Sequence, residues 1–299
     1  MEVWILANTR AGKHRARQEG ESVRRVFALG GARVRMAYTG SLEEAEGFLQ
    51  RAAAQKPDLL VCCGGDGTLS HAVGFLGELG APMPLGFVPM GTTNDFANSL
   101  GMPKEPARAA EQILHGESHR LDLGSFEGRR FLYVASFGAF TQSSYKAPPQ
   151  VKATLGHLAY VLESARELPF LQAIPLEAEV DGDLIQGEFL FGAVSNATSL
   201  GGVMKLSPEQ VQLDDGFFEL TLIRKPQTPV ELGQIVQLLH HGRQDGSLVI
   251  RRPVTRCVFC GQEGLDWSLD GECVPGGGQV GMEVLPQALE LVYLSLIHI

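Results

Sequence analysis

The chain reads as an α/β domain with a parallel sheet, followed by a second, β-rich antiparallel sandwich domain. Three observations predict this architecture. Short apolar runs alternate with helix-compatible segments through the first 120 residues, as parallel strands with crossover helices require. From about residue 119 the texture changes to strand-like runs separated by turn signals. The chain's 299 residues are also long enough for two domains. The expected boundaries are 1–120 for the α/β domain and 121–285 for the β-rich domain, with the C-terminal run 286–299 returning to the first.

The elements follow in order. Residues 3–7 form an apolar run that ends at Asn8-Thr9-Arg10-Ala11-Gly12-Lys13. A charged helical segment, 15–29, stops at Gly30-Gly31, and 33–38 alternate like a strand. Ser41 with Glu44 three residues on makes a capping box that opens a helix to about Gln55, ended by Pro57. The next strand, 59–63, runs into Gly64-Gly65-Asp66-Gly67-Thr68, and a helix is expected over 69–79. Strand 85–88 leads into Pro89-Met90-Gly91-Thr92-Thr93-Asn94-Asp95, with helices expected over 94–100 and 106–115. In the second half, strands are expected at 121–123, 130–137, 176–180, 187–196, 217–224, 248–252 and 254–259. Asp181-Gly182-Asp183 is a hairpin turn there, and a single helix interrupts at 154–168.

Composition narrows the class. Charged residues at 20% and hydrophobic ones at 44% describe an ordinary globular protein. A formal net charge of −9 argues against nucleic acid as the main partner. No stretch approaches the roughly 18–20 apolar residues of a membrane-spanning helix. Met1 is followed at once by Glu2 and a strand-like run, so no signal peptide is expected. Five cysteines, two of them adjacent in an apolar run, do not form a disulfide framework, and a cytoplasmic setting is expected. Cys257-x-x-Cys260 has zinc-ligand spacing, but no second pair follows and strand alternation sends the two thiols to opposite faces.

The chemistry concentrates at Gly64–Thr68. Strand, glycine turn and helix in that order turn backbone N–H groups and a helix N-terminus toward one point, and phosphate is the natural ligand for such a point. Glycine lets a ligand come close without a Cβ in the way. Asp66 is the unusual residue. A carboxylate beside bound phosphate repels it unless Mg²⁺ or a hydroxyl to be activated lies between them, so the turn points to phosphoryl transfer.

This turn resembles the nucleotide-binding signature of the diacylglycerol kinase catalytic superfamily, which also holds sphingosine kinases, NAD kinases and phosphofructokinases. Gly91-Thr92 with Asn94-Asp95-Phe96-Ala97 is similar to the second motif of its bacterial lipid kinases. Gly201-Gly202-Val203-Met204-Lys205-Leu206-Ser207-Pro208, ending at Leu213-Asp214-Asp215-Gly216-Phe217-Phe218, and then Leu269-Asp270-Gly271-Glu272 follow in the family's order. The resemblance runs from Asn8 to Glu272 and implies a two-domain lipid kinase with its site in the cleft between the domains. It implies ATP contacts from Asn8, Gly12, Thr39, Gly64, Gly65, Asp66, Gly67, Thr68, Leu69, Ser70 and Thr92. It further implies Asp66 and Asp95 in a carboxylate–water–Mg²⁺ network, and a structural Mg²⁺ on the Asp215 carboxylate with backbone oxygens of Gln212 and Phe217. Glu272 inherits the role of general base toward the acceptor hydroxyl, that of diacylglycerol or a similar lipid alcohol, giving phosphatidic acid. Peripheral, transient attachment to the inner membrane face follows from a lipid substrate, and homodimers occur among relatives.

The first loop departs from the family pattern. Thr9 stands for the usual proline, Ala11 for a serine, and Ser70 where asparagine is common. Asn8 and Gly12 remain, but Ala11 removes a serine hydroxyl from the loop; this change and that at Ser70 bear on nucleotide affinity or choice. NAD kinase is the enzyme alternative, but the Asn-Glu pair that holds nicotinamide ribose in that family is missing. A nucleotide-binding pseudokinase is the non-enzymatic one, against which stand Asp66, Asp215 and Glu272. The helix 154–168 is read as core, and 295–299 are assigned nothing.

Overall fold

The structure, a computed structural model, describes residues 1–11, 16–138, 173–200, 204–205 and 211–294. Gly12, the helix expected at 154–168, most of the 201–208 motif and residues 295–299 lie outside the described residues. The chain divides into two compact units, Met1–Leu123 with Gln287–Ile299, and Gly124–Pro286.

In the first unit the strands β1 (Glu2–Asn8), β2 (Arg33–Thr39), β3 (Leu59–Gly64) and β4 (Leu85–Pro89) form a parallel sheet in the order β2-β1-β3-β4. β3 and β4 are buried along their whole length, which is why they read as continuous apolar runs. Between the strands lie α1 (Ala16–Leu29), α2 (Leu42–Gln55) and α3 (Asp66–Glu78), and after them α4 (Asp95–Ser99) and α5 (Pro106–Leu114). Val3, Ile5 and Ala7 of β1 join Val23 and Phe27 of α1 and Ile113 of α5 in one core cluster. Trp4, one residue out of phase, meets Phe48 of α2 with ring centroids 5.2 Å apart. The strand's two-residue period thus divides the helices between the two faces. Ser41 accepts from the Glu44 N–H at 3.2 Å, and Glu44 reaches back to the Gly40 N–H at 2.6 Å, one residue before the capping-box position.

The second unit is antiparallel. Into it run β5 (Glu117–Phe126), β6 (Arg129–Phe131) and β7 (Val134–Gly138), then β8 (Ile174–Val180) and β9 (Asp183–Ser195). A two-stranded piece, β10 (Ser199–Leu200) with β11 (Met204–Lys205), precedes β12 (Phe218–Arg224). The helix α6 (Pro229–His240) separates β12 from β13 (Val249–Val254). β14 (Arg256–Gly261), β15 (Asp266–Leu269), β16 (Glu272–Pro275) and β17 (Gln279–Tyr293) complete the chain. β9 pairs with β7, β8 and β12, and its inner residues pack with Trp267, Phe137 and Phe259 in one core. The Asp181-Gly182 turn has φ of 48° and 92°, the left-handed pair a two-residue hairpin demands. The last residues of β17 return to the first unit, where Leu291 pairs in parallel with Leu85 of β4.

Three sequence expectations need correction. α6 is a helix in this half that the strand-like reading passes over, although Thr228 caps it and Pro229 opens it. The expected strand 130–137 is two strands, because the Asp270 carboxylate takes the N–H groups of Leu132, Tyr133 and Val134 out of the ladder. Helix α3 begins at Asp66, three residues earlier than expected, capped by the backbone of Gly65 without a side-chain bond. The Cys257 thiol is buried and Cys260 exposed, as opposite faces of β14 require.

Candidate active site

In the first unit the glycine turn and the β4 exit loop meet at the strand carboxyl ends. A Cβ on Gly91 would lie 2.7 Å from the Gly65 Cα, so the two loops touch backbone to backbone and only glycine fits at position 91. Gly64 is constrained likewise, since a Cβ there would lie 2.3 Å from Thr68 Oγ1. Nothing lies within 4 Å of the Cβ position of Gly67, whose open side leaves the start of α3 approachable. The first N–H groups of a helix have no intrahelical acceptor, and at α3 this end is set by Gly65, Asp66 and Gly67. Asn8 closes the other side, donating from Nδ2 to Thr68 Oγ1 at 3.0 Å while its Oδ1 accepts from the Arg10 N–H at 2.9 Å.

The aspartates form a node. Asp66 and Asp95 are 8% and 4% exposed, and Asp66 Oδ2 accepts from the Asp95 backbone N–H at 2.7 Å. Asp66 therefore caps the short helix α4 as well as opening α3. Asn94, at a left-handed φ of 51°, brackets Gly91 by accepting from its N–H at 3.1 Å and donating to its carbonyl at 2.9 Å. A cavity of about 560 Å³ opens beside this loop, lined by Gly91, Thr92, Thr93 and Asn94 with Glu19 and Lys104. That volume suits a small-molecule ligand.

The remaining first-unit candidates differ in access. Thr92 is exposed on the cavity wall. Thr39 is 4% exposed, and its carbonyl accepts both the N–H and the hydroxyl of Thr9, at 2.9 and 3.0 Å. Thr9 thus fastens the first loop to β2. Leu69 is fully buried, leaving only its backbone to face a ligand, whereas Ser70 is half-buried on α3. Asp122, which the sequence did not single out, is buried and accepts from the Gln287 N–H at 2.7 Å, tying β5 to the returning end of β17.

In the second unit Asp215 is exposed and accepts from the Phe217 N–H at 3.0 Å through Oδ1, forming an Asx turn with Gly216 at φ 82°. Gln212 and Phe217 are exposed on the same loop, and Asn196 holds it from below by donating to the Leu213 carbonyl at 3.3 Å. Beside it, burial pushes the Glu219 carboxyl above its ordinary range, the Arg251 charge opposing and the Asp215 charge adding to the shift. One carboxylate with backbone carbonyls is an all-oxygen set and suits a hard cation. Among the described residues no three His, Cys, Asp or Glu side chains cluster closely enough to hold a metal unaided.

Glu272 stands directly after a two-residue turn, Asp270-Gly271, with φ of 49° and 92°. Asp270 is buried and accepts from Leu132 at 2.6 Å through Oδ2, and from Tyr133 and Val134 at 3.0 Å each through Oδ1. Glu272 itself is about half exposed, and its Oε2 accepts from Arg129 Nη2 at 2.7 Å. Neither Asp270's anchoring role nor Arg129 had a signal in the sequence, since each partner lies more than a hundred positions away.

Comparison with known proteins covers most of the chain. Residues 2–126 match the diacylglycerol kinase catalytic domain, and residues 138–293 match the YegS C-terminal NAD kinase beta sandwich-like domain. A diacylglycerol kinase of Bacillus subtilis (strain 168) is 32% identical over 269 residues, 90% of this chain and 88% of that protein. The chain belongs to the diacylglycerol kinase family. A second member, from Staphylococcus aureus (strain bovine RF122 / ET3-1), is 33% identical over 238 residues, 80% of this chain and 75% of that protein. The fold agrees with two crystal structures from Bacillus anthracis str. Sterne. One, of a diacylglycerol kinase, has a TM-score of 0.74 at 20% identity, covering 98% of this chain and 96% of that one. The other has a TM-score of 0.81 at 23% identity and covers 98% and 95%. As a member of this family the chain is a lipid kinase with ATP as its phosphoryl donor. Among the described residues no helix is long and apolar enough to cross a membrane.

Proposed function

We propose that the enzyme transfers the γ-phosphoryl group of ATP to the free hydroxyl of diacylglycerol, or a closely similar lipid alcohol, giving phosphatidic acid. The observation that carries this reading is the Asp66–Asp95 node set against the Gly65–Gly91 contact. Two buried acids at a helix N-terminus would repel a triphosphate, and a divalent cation resolves that conflict. Their oxygens suit Mg²⁺, which is typically held by one or two carboxylates plus substrate phosphates. When bound, Mg²⁺ supplies charge neutralisation for the phosphates.

The chain's own residues divide the remaining work. Backbone N–H groups of Gly65 and Gly67 and the hydroxyls of Thr68 and Thr92 orient the phosphates, with Asn8, Thr39, Leu69 and Ser70 completing the nucleotide contacts together with Gly12. Glu272 accepts the hydrogen bond of the lipid hydroxyl. As that oxygen bonds to the γ-phosphorus and the bond to the β-bridging oxygen breaks, the proton passes to Glu272 and ADP departs. A carboxylate is a weak base for an alcohol, so Glu272 acts chiefly by orientation and by taking the proton late. Asp215, with the carbonyls of Gln212 and Phe217, would hold a second, structural Mg²⁺ that shapes the turn before β12. Access to a lipid acceptor implies transient contact with the inner membrane surface, and self-association as a homodimer is compatible with the reading.

The test is transfer of label from ATP to a panel of acceptors in mixed micelles: diacylglycerol, phosphatidylglycerol, ceramide and, as a soluble control, NAD. Label is expected in diacylglycerol, with strong loss in Glu272→Gln and nucleotide binding kept. Label in NAD alone would overturn the lipid assignment.

A further inference from the structure

We infer that Arg129 is a positioning residue for the acceptor's base, fixing one oxygen of Glu272 so that the other meets the lipid hydroxyl. This rests on the reading of Glu272 given above. The contact is single: Arg129 Nη2 donates to Oε2 at 2.7 Å. An ion pair whose partners are 51% and 49% exposed contributes little to stability. Its consequence is geometric, and it depends on both backbones being immobile.

They are held from three directions. On the Glu272 side, the Asp270-Gly271 turn is laced to residues 132–134 by the three bonds to the Asp270 carboxylate and by the Asp270 N–H donating to the Val134 carbonyl at 2.9 Å. On the Arg129 side, β6 pairs with β5 in the register Phe126 to Arg129. The tip of that hairpin is tethered in turn. The Glu127 N–H donates to the Gly281 carbonyl at 3.0 Å, and the Gly281 N–H donates back to Glu127 Oε1. Arg129 and Glu272 therefore project from two segments clamped at both ends, with only a guanidinium–carboxylate contact between their tips. A charge-assisted bond of this kind restricts the carboxylate's rotation. With Oε2 engaged by Arg129, Oε1 is the oxygen left to meet the acceptor hydroxyl.

Turnover, nucleotide binding and melting temperature are compared for the wild type, Arg129→Ala, Arg129→Lys, Glu272→Gln and the Arg129→Ala/Glu272→Gln double variant. Arg129→Ala is expected to lower kcat by roughly 10- to 100-fold, the scale of a misplaced catalytic group. The KM for ATP and the melting temperature are expected to stay close to wild type. Arg129→Lys recovers part of the rate, and added guanidinium ion restores part of it to Arg129→Ala. The double variant loses no more than Glu272→Gln alone. Unchanged turnover in Arg129→Ala, or a full further loss on the Glu272→Gln background, overturns the role of Arg129 and leaves Glu272 standing. Unchanged turnover in Glu272→Gln removes the base itself. Should Arg129→Ala fold poorly, Arg129→Lys carries the test: a normal melting temperature with a partial rate supports positioning, and a full wild-type KM and kcat with no guanidinium effect opposes it.

Discussion

Replacing Asp270 tests how the second unit holds its functional turn. Its carboxylate is buried and receives three backbone N–H groups, at 2.6, 3.0 and 3.0 Å. A hydrogen bond to a charged acceptor contributes about 1.5–3 kcal/mol, and a buried donor left unmade costs about 1–3 kcal/mol. Three such bonds sharing one acceptor are not additive, and water enters part of the space left by truncation. Asp270→Ala should therefore cost about 3–6 kcal/mol, a large share of the roughly 5–15 kcal/mol typical of a folded domain. Asp270→Asn keeps the shape and tolerates the left-handed φ of 49°. It loses one acceptor oxygen and the charge, and should cost about half as much, roughly 1.5–3 kcal/mol. Urea unfolding followed by Trp267 fluorescence in a Trp4→Phe background isolates the second unit, because these are the chain's two tryptophans. A loss below about 1 kcal/mol for Asp270→Ala would refute the reasoning, since it would mean that the three donors find equal partners elsewhere.

Further outcomes follow from the first unit. Asp66→Asn keeps an oxygen for the Asp95 N–H and should change stability by no more than about 1 kcal/mol, while turnover falls by about 100-fold or more through loss of the charge; equal losses of both would make Asp66 a purely structural cap. Gly91→Ala places a Cβ 2.7 Å from the Gly65 Cα, and overpacking against backbone should cost about 1–3 kcal/mol and abolish the thermal shift induced by Mg²⁺ and ADP. Burial pushes the Cys62 and Cys257 thiols up to about 12 and Cys63 higher still. All three stay protonated at pH 8, and because their folded-state values are raised, ionisation opposes the fold only as pH climbs past the ordinary thiol range. A thiol reagent at pH 8 should therefore modify the exposed Cys260 and Cys273 quickly and the other three only after denaturation; rapid loss of all five thiols in the native protein would contradict the packing.

Much of the first unit was legible because its physics is local. The apolar runs of β1, β3 and β4, the Ser41–Glu44 cap and the proline after Gln55 each act within a few residues. The sequence places the α3 start late because Gly65 caps it by backbone geometry alone, with no side chain to read. In the second unit α6 did carry a local signal. Thr228 accepts from the Glu231 N–H at 3.2 Å, and Leu232, Ile235 and Leu239 are buried at helical spacing. The strand-like runs on either side mask that signal in the sequence. The strand break at 132–134 and the Arg129–Glu272 contact were illegible for a different reason. Each depends on a partner brought close by the fold, and no rule of sequence spacing reaches across 143 positions. The acids Asp66, Asp95, Asp215 and Glu272 stood out by their motifs. What anchors them, from Asn94 and Asn196 to Asp270, emerged only with coordinates.

Initial-rate transfer of radiolabelled phosphate from ATP to dispersed diacylglycerol, wild type beside Glu272→Gln, reaches the core of the account most directly. A lipid-soluble phosphomonoester, whose label turns water-soluble when mild alkali removes the acyl chains, formed by the wild type and nearly absent with the variant, is the predicted result. A labelled product formed equally fast by both proteins, or none formed by a wild type that binds ATP, would contradict it.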